Sequence, residues 1–71
     1  MRTADQIIEA LGGTGSVAKK LNVSLPAVSN WRARGLPPGR GLDIAELARE
    51  LRSDVTVEEI RAATIQGGAA A

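Results

Sequence analysis

The sequence predicts an all-α fold, a compact bundle of four to five short helices that contains a helix-turn-helix. Three observations carry this. Apolar residues recur at helical spacing, as in Ile7, Ile8 and Leu11 and again in Ile44, Leu47, Ala48 and Leu51. Ser and Thr stand where helices would start, and Gly, Asn and Pro where they would stop. No alternation of apolar and polar residues reads as a strand, and no repeat of about 20–50 residues is present.

Each element has its own signal. Thr3 with Gln6 fits a capping box for a first helix. Gly12 and Gly13 end it. A very short second helix is expected over 16–21, opened by Thr14 and Gly15, with Val17, Ala18 and Leu21 facing inward. Asn22 suits the left-handed conformation that follows a helix. Ser24 is placed to cap a third helix running to about residue 33, with Gly35 just past its end. Pro26 falls in that helix's first turn, where a missing N–H does no harm. Residues 36–41, LPPGRG, read as a stiff loop. A fourth helix follows from 42 to about 52. Thr56 and Glu59 form a second capping box for a short fifth helix to about residue 63, with Val57 and Ile60 inward. Residues 1–65 form the predicted domain, and the Gly/Ala-rich residues 66–71 a flexible tail.

Composition removes several function classes. With no Cys and no His, thiolate metal sites, disulfides and the commonest general base are absent. Trp31 is the only aromatic residue, too few for a stacking platform on single strands. Gly12, Gly13 and Gly15 follow no strand and precede no Lys-Ser/Thr, so they form a turn and not a phosphate-binding loop. Asp43, Glu46, Glu50, Asp54, Glu58 and Glu59 lack a partner base and read as an amphipathic surface. No enzyme activity, cofactor, metal or small-molecule ligand is expected. No apolar run approaches the roughly 20 residues of a membrane span. Residues 1–10 contain Asp5 and Glu9 and do not resemble a signal peptide. A soluble, cytoplasmic protein is expected.

Net charge is only +1, but the charges are unevenly distributed. Residues 16–42 hold five basic residues (Lys19, Lys20, Arg32, Arg34, Arg40) and no acidic ones. The rest of the chain holds four basic and eight acidic residues. Such a segment can present one positive face to phosphate.

The stretch TGSVAKKLNVSLPAVSNWRAR, residues 14–34, carries the functional reading. A steep crossing of two helices needs a small side chain, and Ala18 supplies it. Val28 and Trp31 hold the second helix by one face, at roughly 100° per residue. Pro26, Ser29, Asn30 and Ala33 then point away, with Leu25, Arg32 and Arg34 on the flanks. Asn30 has the geometry for a bidentate contact to adenine, and Ser29 for base edges or phosphate. Leu25, Pro26 and Ala33 suit thymine methyl groups. Arg32 and Arg34 suit phosphate or guanine. Ser16, Lys19, Lys20 and helix N-termini add phosphate contacts. The plainer alternatives are a solvated cap for Asn30, a solvated helix surface for Lys19 and Lys20, and a loop brace for Arg40 in place of a phosphate contact.

The pattern VAKKLNVSLPAVSNWRARGLP resembles the helix-turn-helix of the Cro and phage-repressor superfamily. It is especially similar to short Cro-like and YdaS-like regulators, in which VSNW followed by Arg, Gly and a Pro loop recurs. The resemblance covers roughly residues 4–52. It implies operator recognition in the major groove of double-stranded DNA, by a homodimer on a palindrome. Ser24, Leu25, Pro26, Ser29 and Asn30 match base-reading positions, to which Arg34 is added from the helical wheel. Thr14, Ser16, Lys20 and Arg32 match phosphate-contact positions, to which Lys19 and Arg40 are added from charge. Asn22 stands where Gly is usual, and Pro26 removes a donor from the recognition helix.

One small monomer offers few contacts for tight specific binding. Two copies on half-sites about one helical turn apart supply the rest. Leu42, Val55, Val57, Ile60 and Ile65 are the expected dimer surface. A repressor is the leading expectation. The alternatives are an activator touching RNA polymerase and a protein-interaction module that kept the fold without binding DNA.

Overall fold

The computed structural model describes residues 1–65; the predicted tail, 66–71, lies outside the described residues. Thr3 opens α1 (Ala4–Ala10) with a complete capping box. Its hydroxyl accepts from the Gln6 N–H at 3.2 Å, and the Gln6 side chain accepts from the Thr3 N–H at 2.8 Å. Helix α2 (Thr14–Leu21) begins two residues before the expected start. Helix α3 (Leu25–Arg34) follows a tight turn. The proline loop is not wholly irregular: Pro38–Arg40 winds a 3₁₀ turn directly into α4 (Gly41–Glu50). Helix α5 (Val57–Ala63) opens on the second capping box, made by Thr56 and Glu59 as the spacing implies. The fold is all-α.

Helices α1, α2 and α4 end in the same way. The residue after each last turn takes a positive φ: Gly12 at 108°, Asn22 at 59°, Arg52 at 54°. The next N–H then reaches back to a carbonyl five residues earlier, from Gly13 to Ile8, Val23 to Ala18 and Ser53 to Ala48, at 2.9, 3.0 and 2.8 Å. These are the 6→1 closures of Schellman ends. Arg52 carries no stop signal in its side chain, which is why the sequence placed the end of the fourth helix near 52, whereas the helix ends at residue 50.

The core is one cluster fed by every helix. Ile7, Ile8 and Leu11 come from α1 and its cap, Val17 and Ala18 from α2, and Val28 and Trp31 from α3. Ile44, Leu47 and Ala48 come from α4, and Ile60 from α5. Helix α3 packs on α1 and α2, while α4 packs on α5. Leu51, expected on the α4 stripe, lies past the helix end and is exposed.

Leu36 is the unexpected core residue, fully buried at 0% exposure although it sits in the loop. Its N–H donates to the Ala63 carbonyl at 2.9 Å, and its own carbonyl accepts from the Ile65 N–H at 2.8 Å. This single parallel bridge, Leu36 with Thr64, ties the end of α3 to the end of α5. Gly35 permits it. Its φ is 125°, and a Cβ there would lie 3.0 Å from Ile65 Cγ1 and 3.1 Å from the Ala63 carbonyl oxygen.

Two of the residues assigned to a dimer surface serve the protomer's own core instead. Val55 and Ile60 are buried in the protomer's own core. Val57, expected to face inward, is 57% exposed. Val57 and Ile60 do share one side of α5, but neighbouring helices cover that side only at Ile60. Residues Pro38, Gly41, Leu42, Ala45, Val57 and Ile60 line an apolar groove of about 340 Å³ between α4 and α5. Leu42, at 73% exposure, stands on its rim.

Replacing Leu36 by Ala is expected to cost about 2–5 kcal/mol. In a chain this short that is most of the stability, so the urea midpoint should collapse; an unchanged midpoint would remove the Leu36 side chain from the core account. A second outcome concerns acid. Hydrogen bonding to the Thr56 N–H, assisted by Arg2, holds the Glu59 carboxyl below its ordinary pKa. Its contribution is therefore complete above the unfolded glutamate value, about 4.3, and is lost as pH falls through the lower folded value. Glu59→Gln keeps an acceptor in the capping box, and its melting temperature should depend less on pH in that window than the parent's does.

Candidate nucleic-acid interface

Ser24 opens α3. Its backbone is extended, and its hydroxyl accepts from the Ala27 N–H at 3.2 Å. Ser24 therefore acts as the N-cap of α3, its O–H still free to donate. With Ala27 capped and Pro26 lacking an N–H, only Leu25 retains a free first-turn donor in α3. Helix α2 is different. It starts at Gly13, φ 93°, with no side-chain cap. Its first-turn N–H groups have no side-chain acceptor.

The two helices are set by the turn. Asn22, at φ 59° and ψ 47°, ends α2 in the left-handed conformation that its position requires. Two residues, Val23 and Ser24, then carry the chain into α3. Ala18 is buried on the α2 face that turns inward. Val28 and Trp31, at 0% and 7% exposure, are the buried residues of α3. Ser24, Leu25, Pro26, Ser29, Asn30, Ala33 and Arg34 are all exposed. The base-reading positions proposed from sequence thus form one continuous, acid-free outer surface of α3.

The cations proposed for phosphate are arranged less simply. Lys19 and Arg34 are exposed and have no ion pair among the described residues. Lys20 reaches Glu50 at 3.1 Å, across a cleft of about 250 Å³ lined also by Asp43 and Glu46. Arg40 pairs with Asp43 at 3.3 Å, the loop-bracing arrangement. Arg32 is the most heavily engaged. Its Nε donates to Asp5 at 2.5 Å, Nη2 to Glu9 at 2.6 Å and Nη1 to the Thr14 hydroxyl at 3.0 Å. The hydrogen bonds to Asp5, then Glu9, raise its pKa further above an already high value. Thr14 and Ser16 are half-buried. Three of the five basic residues in the acid-free segment are thus neutralised by carboxylates from elsewhere in the fold. Segment charge could not reveal this, because the partners lie on α1 and α4.

A second cross-fold network joins residues far apart in the chain. Arg2 bridges Asp54 at 2.6 Å and Glu59 at 3.1 Å, fastening the start of α1 to α5. No sequence signal marked it, since the partners are more than 50 residues apart. Among the described residues no helix is long and apolar enough to cross a membrane.

A small all-α domain with a two-helix unit closed by a left-handed residue, and with the second helix exposed along one whole side, is a helix-turn-helix protein. The chain belongs to the family described as bacterial toxin YdaS, whose model matches residues 4–66. This agrees with the YdaS-like side of the resemblance and is compatible with the Cro-like side. No curated protein and no solved structure matches the chain.

Proposed function

We propose that this protein is a sequence-specific double-stranded DNA-binding regulator that places α3 in the major groove. One observation carries the reading: the outward side of α3, from Ser24 to Arg34, is solvent-exposed and free of carboxylates, with Leu25 as its one large apolar residue. Ser29 and Asn30 at its centre supply donors and acceptors for base edges. Lys19, Arg34 and the uncapped start of α2 supply phosphate contacts. Occupancy of a promoter suffices to repress, so repression is the proposed mode.

The proposed assembly is a homodimer on a palindrome. A single copy offers too small a contact surface for tight specific binding. Leu42 and Val57, exposed on either side of the apolar groove, are the residues that a second copy would cover. Ile65, half-buried just past α5, is the third residue assigned to this contact.

A second reading is favoured by the internal ion pairs. With Lys20, Arg32 and Arg40 already partnered, the fold offers fewer free cations than its sequence, which suits a protein-interaction module. Salt separates the two. Selection from random DNA should yield one preferred palindrome, bound with affinity that falls steeply as salt rises. Lys19→Ala should reduce the log–log salt slope by about 0.9, one phosphate contact. Asn30→Ala should leave that slope unchanged and lose about 1–3 kcal/mol on the selected site. No enrichment from the random pool would refute DNA binding. Sedimentation should show Leu42→Glu as a monomer and the parent as a dimer; a parent that stays monomeric at high concentration and on DNA refutes the assembly.

A further inference from the structure

Helix α3 is fixed to the core by only two buried side chains, Val28 and Trp31, which lie one turn apart on a single stripe. Two such contacts hold a helix along a line but resist poorly a roll about its own axis. A roll moves every outward side chain in step, since residues follow one another at roughly 100°. The face offered to a groove then changes while the core stays packed. A third contact off the stripe is needed to set the roll.

Arg32 provides it. It follows Trp31 and so leaves the helix to one side of the stripe. Of the five N–H groups of a guanidinium, three point at other helices: two at the α1 carboxylates of Asp5 and Glu9, one at the hydroxyl of Thr14 on α2. Asp5 and Glu9 stand one turn apart on α1, so the planar fork grips that helix at two points. Only 23% of the Arg32 side chain is exposed, against 57% and 68% for its two acidic partners. Exposed ion pairs stabilise little when single. A fork with three fixed acceptors is valuable for direction more than for energy.

We propose that Arg32 is a positioning residue and not a phosphate anchor: it locks the roll of α3 against α1 and α2, and so determines which side chains reach the bases. The proposal rests on the DNA-binding reading for its consequence, but the grip itself is testable without DNA.

The test uses Arg32→Lys, which keeps the charge and the helix propensity but replaces the fork by a point charge. Trp31, the only tryptophan, reports on α3 packing. In Arg32→Lys the helical circular dichroism should be unchanged and the Trp31 emission should shift to longer wavelength. Asp5→Asn combined with Glu9→Gln releases the same grip from the α1 side and should give the same shift; it also serves if the first variant folds poorly. With the duplex obtained by selection and a scrambled duplex of equal length, Arg32→Lys should lose roughly tenfold in discrimination, the size of one mismatched base pair. The salt slope on the scrambled duplex should hold, in Arg32→Ala as well. A slope about 0.9 shallower in Arg32→Ala, with discrimination kept in Arg32→Lys, would make Arg32 a phosphate anchor and overturn the proposal. If the parent binds no duplex, the regulator reading fails and Trp31 emission alone decides; emission unchanged in both variants refutes the grip.

Discussion

Helix α3 is gripped from behind by Val28 and Trp31, and the functional surface depends on that one-sided grip. Burying those two side chains stabilises the fold by about 1.5–3 kcal/mol each at most, enough to dock a ten-residue helix in a small domain. It leaves the other side of the helix without structural duties. Ser29, Asn30 and Ala33 are consequently free to be small and polar, since nothing in the core constrains them. The same economy explains why α3 needs help from its neighbours: the Ser24 cap fixes its start, and Arg32 ties its later half to α1 and α2.

Electrostatics in this fold serve architecture before they serve a partner. The acid-free segment 16–42 folds so that carboxylates of α1 and α4 meet its cations. Lys19 and Arg34 stay outside these pairs. A small number of free cations beside a polar helix suits contacts that depend on shape and base edges more than on bulk charge. The network of Arg2 with Asp54 and Glu59 belongs to the same architecture, since it ties the start of α1 to α5.

Much of the fold was legible because its signals are local. Both capping boxes, the left-handed Asn22, the Ser24 cap and the Val28–Trp31 anchor each follow from residues within one or two turns of each other. The features missed are those that need distant partners or an unusual backbone. Leu36 looked like loop because its two hydrogen-bond partners lie at the other end of α5. Arg52 gave no stop signal because its left-handed φ is imposed by the closure that follows it. Val55 and Ile60 seemed surplus to the core until the closing of α5 onto α4 used them. In the site, every position assigned to base contact lies on the exposed side of α3, because the helical wheel fixes direction. The ion pairs of the cations were not legible, because a wheel says where Arg32 leaves the helix and nothing about Asp5 and Glu9 waiting on α1.

The most direct measurement is a titration of the isotopically labelled protein with its selected duplex, followed by backbone amide shifts. A groove-facing α3 predicts the largest changes at Ser29, Asn30 and Ala33 and in the uncapped first turn of α2, with the α4–α5 groove moving little. Changes confined to Leu42, Ala45 and Val57, with the α3 amides unmoved, would contradict it and make the apolar groove the working surface of the protein.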